Sequence, residues 1–159
     1  MDNSMKYAEG LSKIIQVKTV SNSGAAVFAE FRNVLEELFP ALHKNCTRTT
    51  VCGDALLYKW KGKSDKKPIV LMAHQDVVPA EDGNWKYPPF SGTIADGKVW
   101  GRGAMDCKNT LYVSMQAVEE LISENFISDN DVYIALSDGE EVFGPGAIKT
   151  KDYLKKEGV

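Results

Sequence analysis

The stretch IVLMAHQDVVP, Ile69 to Pro79, constrains this chain more than any other. Five apolar residues read as a buried strand, and they run straight into His74, with Asp76 two places on. Burying an imidazole or a carboxylate without a partner is costly, so the pair must be satisfied by each other, by water or by a metal ion. A core strand that ends this way needs a site built around its end.

The elements flanking it set the fold class. Ala8, Leu11, Ile14, Ile15 and Val17 recur near helical spacing, and a second helix is expected from about Ala25 to Phe39, with Pro40 stopping it. TRTTVCG and ALLYKWKG read as two strands around a Gly53-Asp54 turn. The charged KGKSDKK lacks the glycine spacing of a phosphate loop and reads as a solvated hairpin or loop before a strand at Ile69–Ala73. Beyond it come a hairpin over Asp96-Gly97, a helix from about Lys108 to Glu124, a buried strand DVYIALS, a glycine-rich loop and a last helix from about Pro145 to Lys156. Strands alternating with helices predict an α/β fold, a mixed sheet with helices on both faces in three layers.

Bulk properties narrow the function classes. A chain of 159 residues suits one domain and needs no staples to make a core. A net charge of -3 gives no electrostatic case for nucleic acid or an anionic membrane, and no apolar run is long enough for a membrane span. Cys46, Cys52 and Cys107 are an odd count without zinc-knuckle spacing, which argues for reduced thiols and a cytoplasmic setting.

Three polar clusters share one topological position. His74 and Asp76 follow one strand, Asp106 lies between a strand near Lys98–Trp100 and the helix starting at Lys108, and Glu140 and Glu141 follow the strand Val132–Ser137. Ligands of open α/β sheets bind outside the carboxyl ends of strands, so the three can converge. Singly, each has a plainer reading: a satisfied core histidine, a helix-capping aspartate, a wet glutamate pair. Together they offer an imidazole and several carboxylates, the ligand set of zinc or a similar divalent ion. Residues two apart in an extended segment point the same way, so Asp76 can accept the second ring proton of His74. Glu140 and Glu141 must point apart, which suits one to the metal and the other to taking a proton from the attacking water. GRGAMD, Gly101 to Asp106, begins like a dinucleotide loop but puts a carboxylate where pyrophosphate would sit; its glycines suit a tight path that aims Asp106 inwards.

The motifs LMAHQDVVP, W then PPFSG, DGKVWGRGAMDCKN and EEVFGPGA resemble, in order, those of the M20 metallopeptidases, particularly the branch with aminoacylase-1, carboxypeptidase S and Gly-Xaa carboxypeptidases. The resemblance runs from about Ile69 to Ala147. It implies a zinc-peptidase catalytic domain of the phosphorylase/hydrolase-like kind, with two Zn2+ ions, or Co2+ or Mn2+ in their place. His74 would bind one ion, Asp106 bridge both and Glu141 bind the second; Asp76 would orient His74 and Glu140 act as general base. The substrate would be a dipeptide or N-acyl amino acid, cleaved at its amide bond. Two departures stand out: Gly139 precedes the glutamate pair where an acidic or polar residue is usual, and Cys107 adjoins the bridging ligand.

Two zincs sharing one carboxylate need about five protein ligands, and three are assigned here. The resemblance implies that the rest, with a lid and dimerisation domain that would make a homodimer, follow Val159. The chain is therefore expected to be an N-terminal part of the catalytic domain, inactive alone. The alternative is a non-catalytic α/β binding or interaction module that keeps the fold without the chemistry.

Overall fold

The computed structural model describes residues 3–159. Its first half holds α1 (Ser4–Gln16), α2 (Ala25–Leu38), α3 (Pro40–Asn45), β1 (Thr47–Cys52), β2 (Ala55–Trp60) and β3 (Ser64–His74). There follow β4 (Thr93–Ala95), β5 (Lys98–Trp100), α4 (Lys108–Ser123), β6 (Asn130–Ser137) and α5 (Gly146–Lys156). The main sheet has the order β1-β2-β6-β3, and β4 with β5 forms a separate hairpin. β1, β2 and β6 pair antiparallel in turn, whereas β3 lies parallel to β6.

Side-chain alternation makes both faces of the sheet core. Leu56, Tyr58 and Trp60 of β2 and Val132, Ile134 and Leu136 of β6 pack with Ile14, Phe31, Leu35, Leu42, Leu111 and Met115 from the first four helices. The intervening residues Leu57, Tyr133 and Ala135 face the other way and pack on Leu154 of α5. The mixed α/β sheet with helices on both faces is as the sequence predicts.

The parallel pairing of β3 and β6 positions the site. Their carboxyl ends lie at one edge because His74 stands opposite Ser137 in the register. The Gln75 N–H extends the pairing by one bond, to the Ser137 carbonyl at 2.9 Å. β2 runs the other way, so the β1–β2 turn comes to the same edge, where the Asp54 N–H donates to the Asp138 carboxylate at 2.7 Å.

Local differences from the sequence expectations have identifiable causes. KGKSDKK is not a free loop: β3 begins at Ser64, which pairs with Asn130 before the register shifts at Ile69. The N–H groups of Lys63 and Ser64 donate to the Ser128 and Asp129 carbonyls, each at 3.0 Å, so a distant segment recruits this charged run. Pro40 ends α2 but also opens α3, as its missing N–H costs nothing in a first helical turn. The next two N–H groups, of Ala41 and Leu42, donate to the Glu119 carboxylate at 3.0 and 2.6 Å. That acceptor lies on α4, beyond the reach of any local pattern.

Candidate metal and catalytic site

Residues from three connections meet at the shared strand edge. The His74 ring has acceptors on both sides: Nδ1 lies 2.8 Å from the backbone carbonyl of Asp76, and Nε2 lies 3.0 Å from Asp106 Oδ1. Glu140 Oε2 is 3.8 Å from the same Nε2. The Asp76 carboxylate stands further from Nδ1, at 3.5 Å, so the carbonyl rather than the carboxylate is the nearer acceptor for that ring proton. Asp76 still contributes to the orientation of His74, but through its main chain first.

The Asp76 carboxylate has a second task, which spacing did not reveal. It accepts the backbone N–H groups of Glu140 at 3.0 Å and Glu141 at 3.2 Å, and the Ser21 hydroxyl at 2.7 Å. It thereby ties the loop after β6 to the loop after β3. Burial alone would raise its pKa; His74, Ser21 and the two N–H groups outweigh that and hold it at about 2. The neighbouring Asp76 carboxyl is also the largest influence on His74, whose pKa is pushed up to about 11, with Cys107 and Asp106 assisting against burial.

Glycines shape the loops that carry the carboxylates. Gly103 has φ +83°, and a Cβ there would stand 2.8 Å from a Val77 methyl group, so the path from β5 to Asp106 accepts no side chain at this point. Asp106 emerges with its side chain 79% exposed, reaching His74 from the solvent side rather than from the interior. The Asp106-Cys107 peptide bond is cis. Gly139, the departure noted before the glutamate pair, has φ +82°, and its carbonyl accepts the N–H groups of Val142 at 3.3 Å and Gly144 at 2.7 Å. The positive φ of a glycine here is thus tied to the tight turn Glu140–Val142.

The donor set fits a divalent cation. Nδ1 gives its proton to a carbonyl, and the other nitrogen confronts carboxylate oxygens; that confrontation needs either a second ring proton or a metal ion between them. His74, Asp106 and Cys107 each place a possible ligand atom within 4.8 Å of the others'. The structure thus unites His74, Asp106 and Glu140, and holds the Glu141 main chain beside them through Asp76. The Glu141 carboxylate is outside the three-residue cluster, and Cys107 is inside it. The Cys107 sulfur accepts the His74 N–H at 3.2 Å, a contact that sequence adjacency to Asp106 hinted at but did not specify.

Comparison with known proteins places the chain in a family. Residues 70–159 match Peptidase family M20/M25/M40. The chain belongs to that family. Among its curated M20 relatives, bovine N-fatty-acyl-amino acid synthase/hydrolase PM20D1 is 40% identical over 159 residues, covering 95% of this chain and 32% of the relative. Carboxypeptidase S of Saccharomyces cerevisiae is also 40% identical, over 134 residues, covering 80% of this chain and 23% of that protein. The chain therefore spans about a third or less of the length of these relatives. Of solved M20 structures, the metallo-carboxypeptidase Sso-CP2 of Sulfolobus solfataricus superposes with a TM-score of 0.72 at 24% identity, over 98% of this chain and 34% of that one. The dipeptidase Dug1p of Saccharomyces cerevisiae gives 0.72 at 21% identity, over 98% and 36%. These two share the fold of this chain.

Two supporting residues of this M20 chain lay outside the sequence reading. Ser21 is one; Lys108 is the other. Its side chain is wholly buried, and its ammonium donates to the carbonyls of Ile14 at 3.0 Å and Val17 at 2.7 Å while lying 5.1 Å from the Phe31 ring centre. Burial pulls its pKa down to about 7. No motif spacing signals either residue, because their partners lie 55 or more positions away.

Proposed function

We propose that the protein carrying this chain hydrolyses an amide bond in a dipeptide or N-acyl amino acid, using zinc or a similar divalent metal. Support comes from family membership and from the names of the relatives, one a carboxypeptidase and one a hydrolase of N-fatty-acyl amino acids. The observation that carries the reading is the His74 ring, fixed by the Asp76 carbonyl on one side and facing Asp106 and Glu140 on the other.

His74, Asp106 and Glu141 are the proposed metal ligands. A divalent ion held there supplies Lewis-acid polarisation of the scissile carbonyl and lowers the pKa of water. Glu140 then takes a proton from the attacking water and passes it to the leaving amine. Its side chain is 55% exposed and beside His74, within reach of a substrate arriving from solvent. Asp76 keeps this loop in place through the Glu140 and Glu141 N–H groups. Three free thiols support a reducing, cytoplasmic setting. Two metal ions need about five ligands, so we expect the 159-residue chain alone to bind zinc weakly and to show no measurable peptidase activity.

The test uses the complete protein. Glu140→Ala should keep its zinc and lose kcat by about 10²–10⁴-fold, while Glu141→Ala should lower zinc occupancy and recover in part with excess metal. Metal content and rates on N-acyl amino acids and dipeptides decide it. If Glu140→Ala loses zinc and Glu141→Ala keeps it, the two roles are exchanged; if neither alters the rate, the catalytic reading fails.

A further inference from the structure

We infer that Ser21 is a positioning residue of this site, acting through the Asp76 carboxylate on both His74 and the turn that carries Glu140 and Glu141. The inference rests on the proposed metal site and adds to it a component from the N-terminal segment.

Ser21 is placed by main-chain pairing, so its hydroxyl is aimed rather than incidental. Val20 forms a parallel bridge with Val77. Around it, the Val77 N–H donates to the Thr19 carbonyl at 3.0 Å and the Ser21 N–H to the Val77 carbonyl at 3.1 Å. The Thr19 hydroxyl adds a bond to the Gln75 carbonyl at 2.6 Å. Residues 19–21 thus run alongside residues 75–77, and the Ser21 side chain arrives at Asp76.

The division of donors between the two carboxylate oxygens shows what Ser21 does. Oδ1 accepts the Glu140 N–H and faces His74 Nδ1; Oδ2 accepts the Ser21 hydroxyl at 2.7 Å and the Glu141 N–H at the longer distance of 3.2 Å. Asp76 is fully buried, so its carboxylate depends on the donors the protein itself supplies. Without the hydroxyl, Oδ2 keeps only its longer bond, and the carboxylate is less constrained against rotation about Cβ–Cγ. Rotation would disturb the Glu140 N–H and the His74 ring together, because both are referred to Oδ1.

The same segment is anchored from the other half of the site. Lys108, two residues after Asp106, holds the Ile14 and Val17 carbonyls just before residues 19–21. The connection between α1 and α2 therefore links the Asp106 loop to the Asp76 carboxylate. A serine there only to satisfy a loop would affect stability alone; a positioning serine affects metal affinity in a protein that remains folded.

The experiment compares Ser21→Ala and Ser21→Thr with wild type and His74→Ala in the complete protein. It measures zinc affinity by chelator competition, thermal midpoint, kcat and KM. Ser21→Ala should stay folded and bind zinc about 10–100-fold more weakly, the usual effect of removing a group behind a metal ligand, with kcat falling as well. Ser21→Thr, which restores the hydroxyl, should return affinity to within roughly threefold of wild type. Wild-type affinity and kcat in folded Ser21→Ala overturn the inference, as does a loss that follows a collapsed midpoint and is not recovered by threonine. His74→Ala separates the two levels. If it abolishes zinc binding while Ser21→Ala changes nothing, only the positioning role is wrong; if it leaves zinc binding intact, the metal-site reading falls and this inference with it.

Discussion

His74 and Asp76 are sealed into the end of the sheet, with side chains 8% and 0% exposed, whereas Asp106 and Glu140 stand in the open at 79% and 55%. The sealed half is fixed by bonds the chain makes to itself: a carbonyl on the ring, and two N–H groups and a hydroxyl on the carboxylate. The open half is aimed mainly by backbone path and is exposed to whatever binds against it. The contrast separates preorganisation from the proposed chemistry, since the buried pair carries the cost of order and leaves the carboxylates proposed to meet metal and substrate exposed.

If that division holds, substitutions on the two sides must differ sharply in their effect on stability. Asp76→Ala removes a fully buried carboxylate that accepts the Glu140 and Glu141 N–H groups and partners a raised-pKa histidine, so it should cost about 3–5 kcal/mol in chemical denaturation. A loss below about 1 kcal/mol would break the comparison. Lys108→Met should cost less, about 1–3 kcal/mol, because it takes the ammonium from the Ile14 and Val17 carbonyls, the latter keeping the Thr19 N–H at 2.9 Å, while retaining apolar contact with Phe31.

A pH effect of intermediate size follows from His74. Its pKa, about 11 in the metal-free state, lies above the unfolded value of about 6.5. The stability it contributes is therefore fully present below about 6.5 and is lost as pH rises through about 11. A difference curve between wild type and His74→Gln isolates this contribution. Zinc must displace the same proton, so affinity should rise about tenfold per pH unit across the neutral range, and a flat chelator-competition profile would contradict the shared position. The smallest effect belongs to the open side: Asp106→Ala should alter the stability of the metal-free chain by no more than about 0.5 kcal/mol, measured by the same denaturation.

The same contrast marks what the sequence made legible. The alternation in ALLYKWKG and DVYIALS gives the central strands, and the apolar run into His74 gives the site's location, because both are local patterns. Topology accounts for Glu140 meeting His74, since parallel β3 and β6 bring their loops to one edge, whereas Asp106 follows β5 of the separate hairpin and reaches His74 by a path that the strand-end rule does not give. What stayed hidden depends on long-range partners: Ser21 on Asp76, Lys108 on the end of α1, and Glu119 on α3. The first 68 residues, which contribute little to the motif pattern, supply the segment that supports the site from beneath. Spacing likewise suggested the Asp76 carboxylate as acceptor for the His74 ring but did not show that its own carbonyl lies nearer.

The central claim is that His74 Nε2 and the carboxylates facing it hold a divalent metal. Crystals of the complete protein grown with zinc, measured on both sides of the zinc absorption edge, test it directly. The account predicts anomalous density about 2.0–2.2 Å from His74 Nε2 and from an Asp106 oxygen, with Glu141 as a further ligand. Density bound elsewhere, or a His74 ring still hydrogen-bonded directly to Asp106 in a zinc-saturated and active protein, would contradict it.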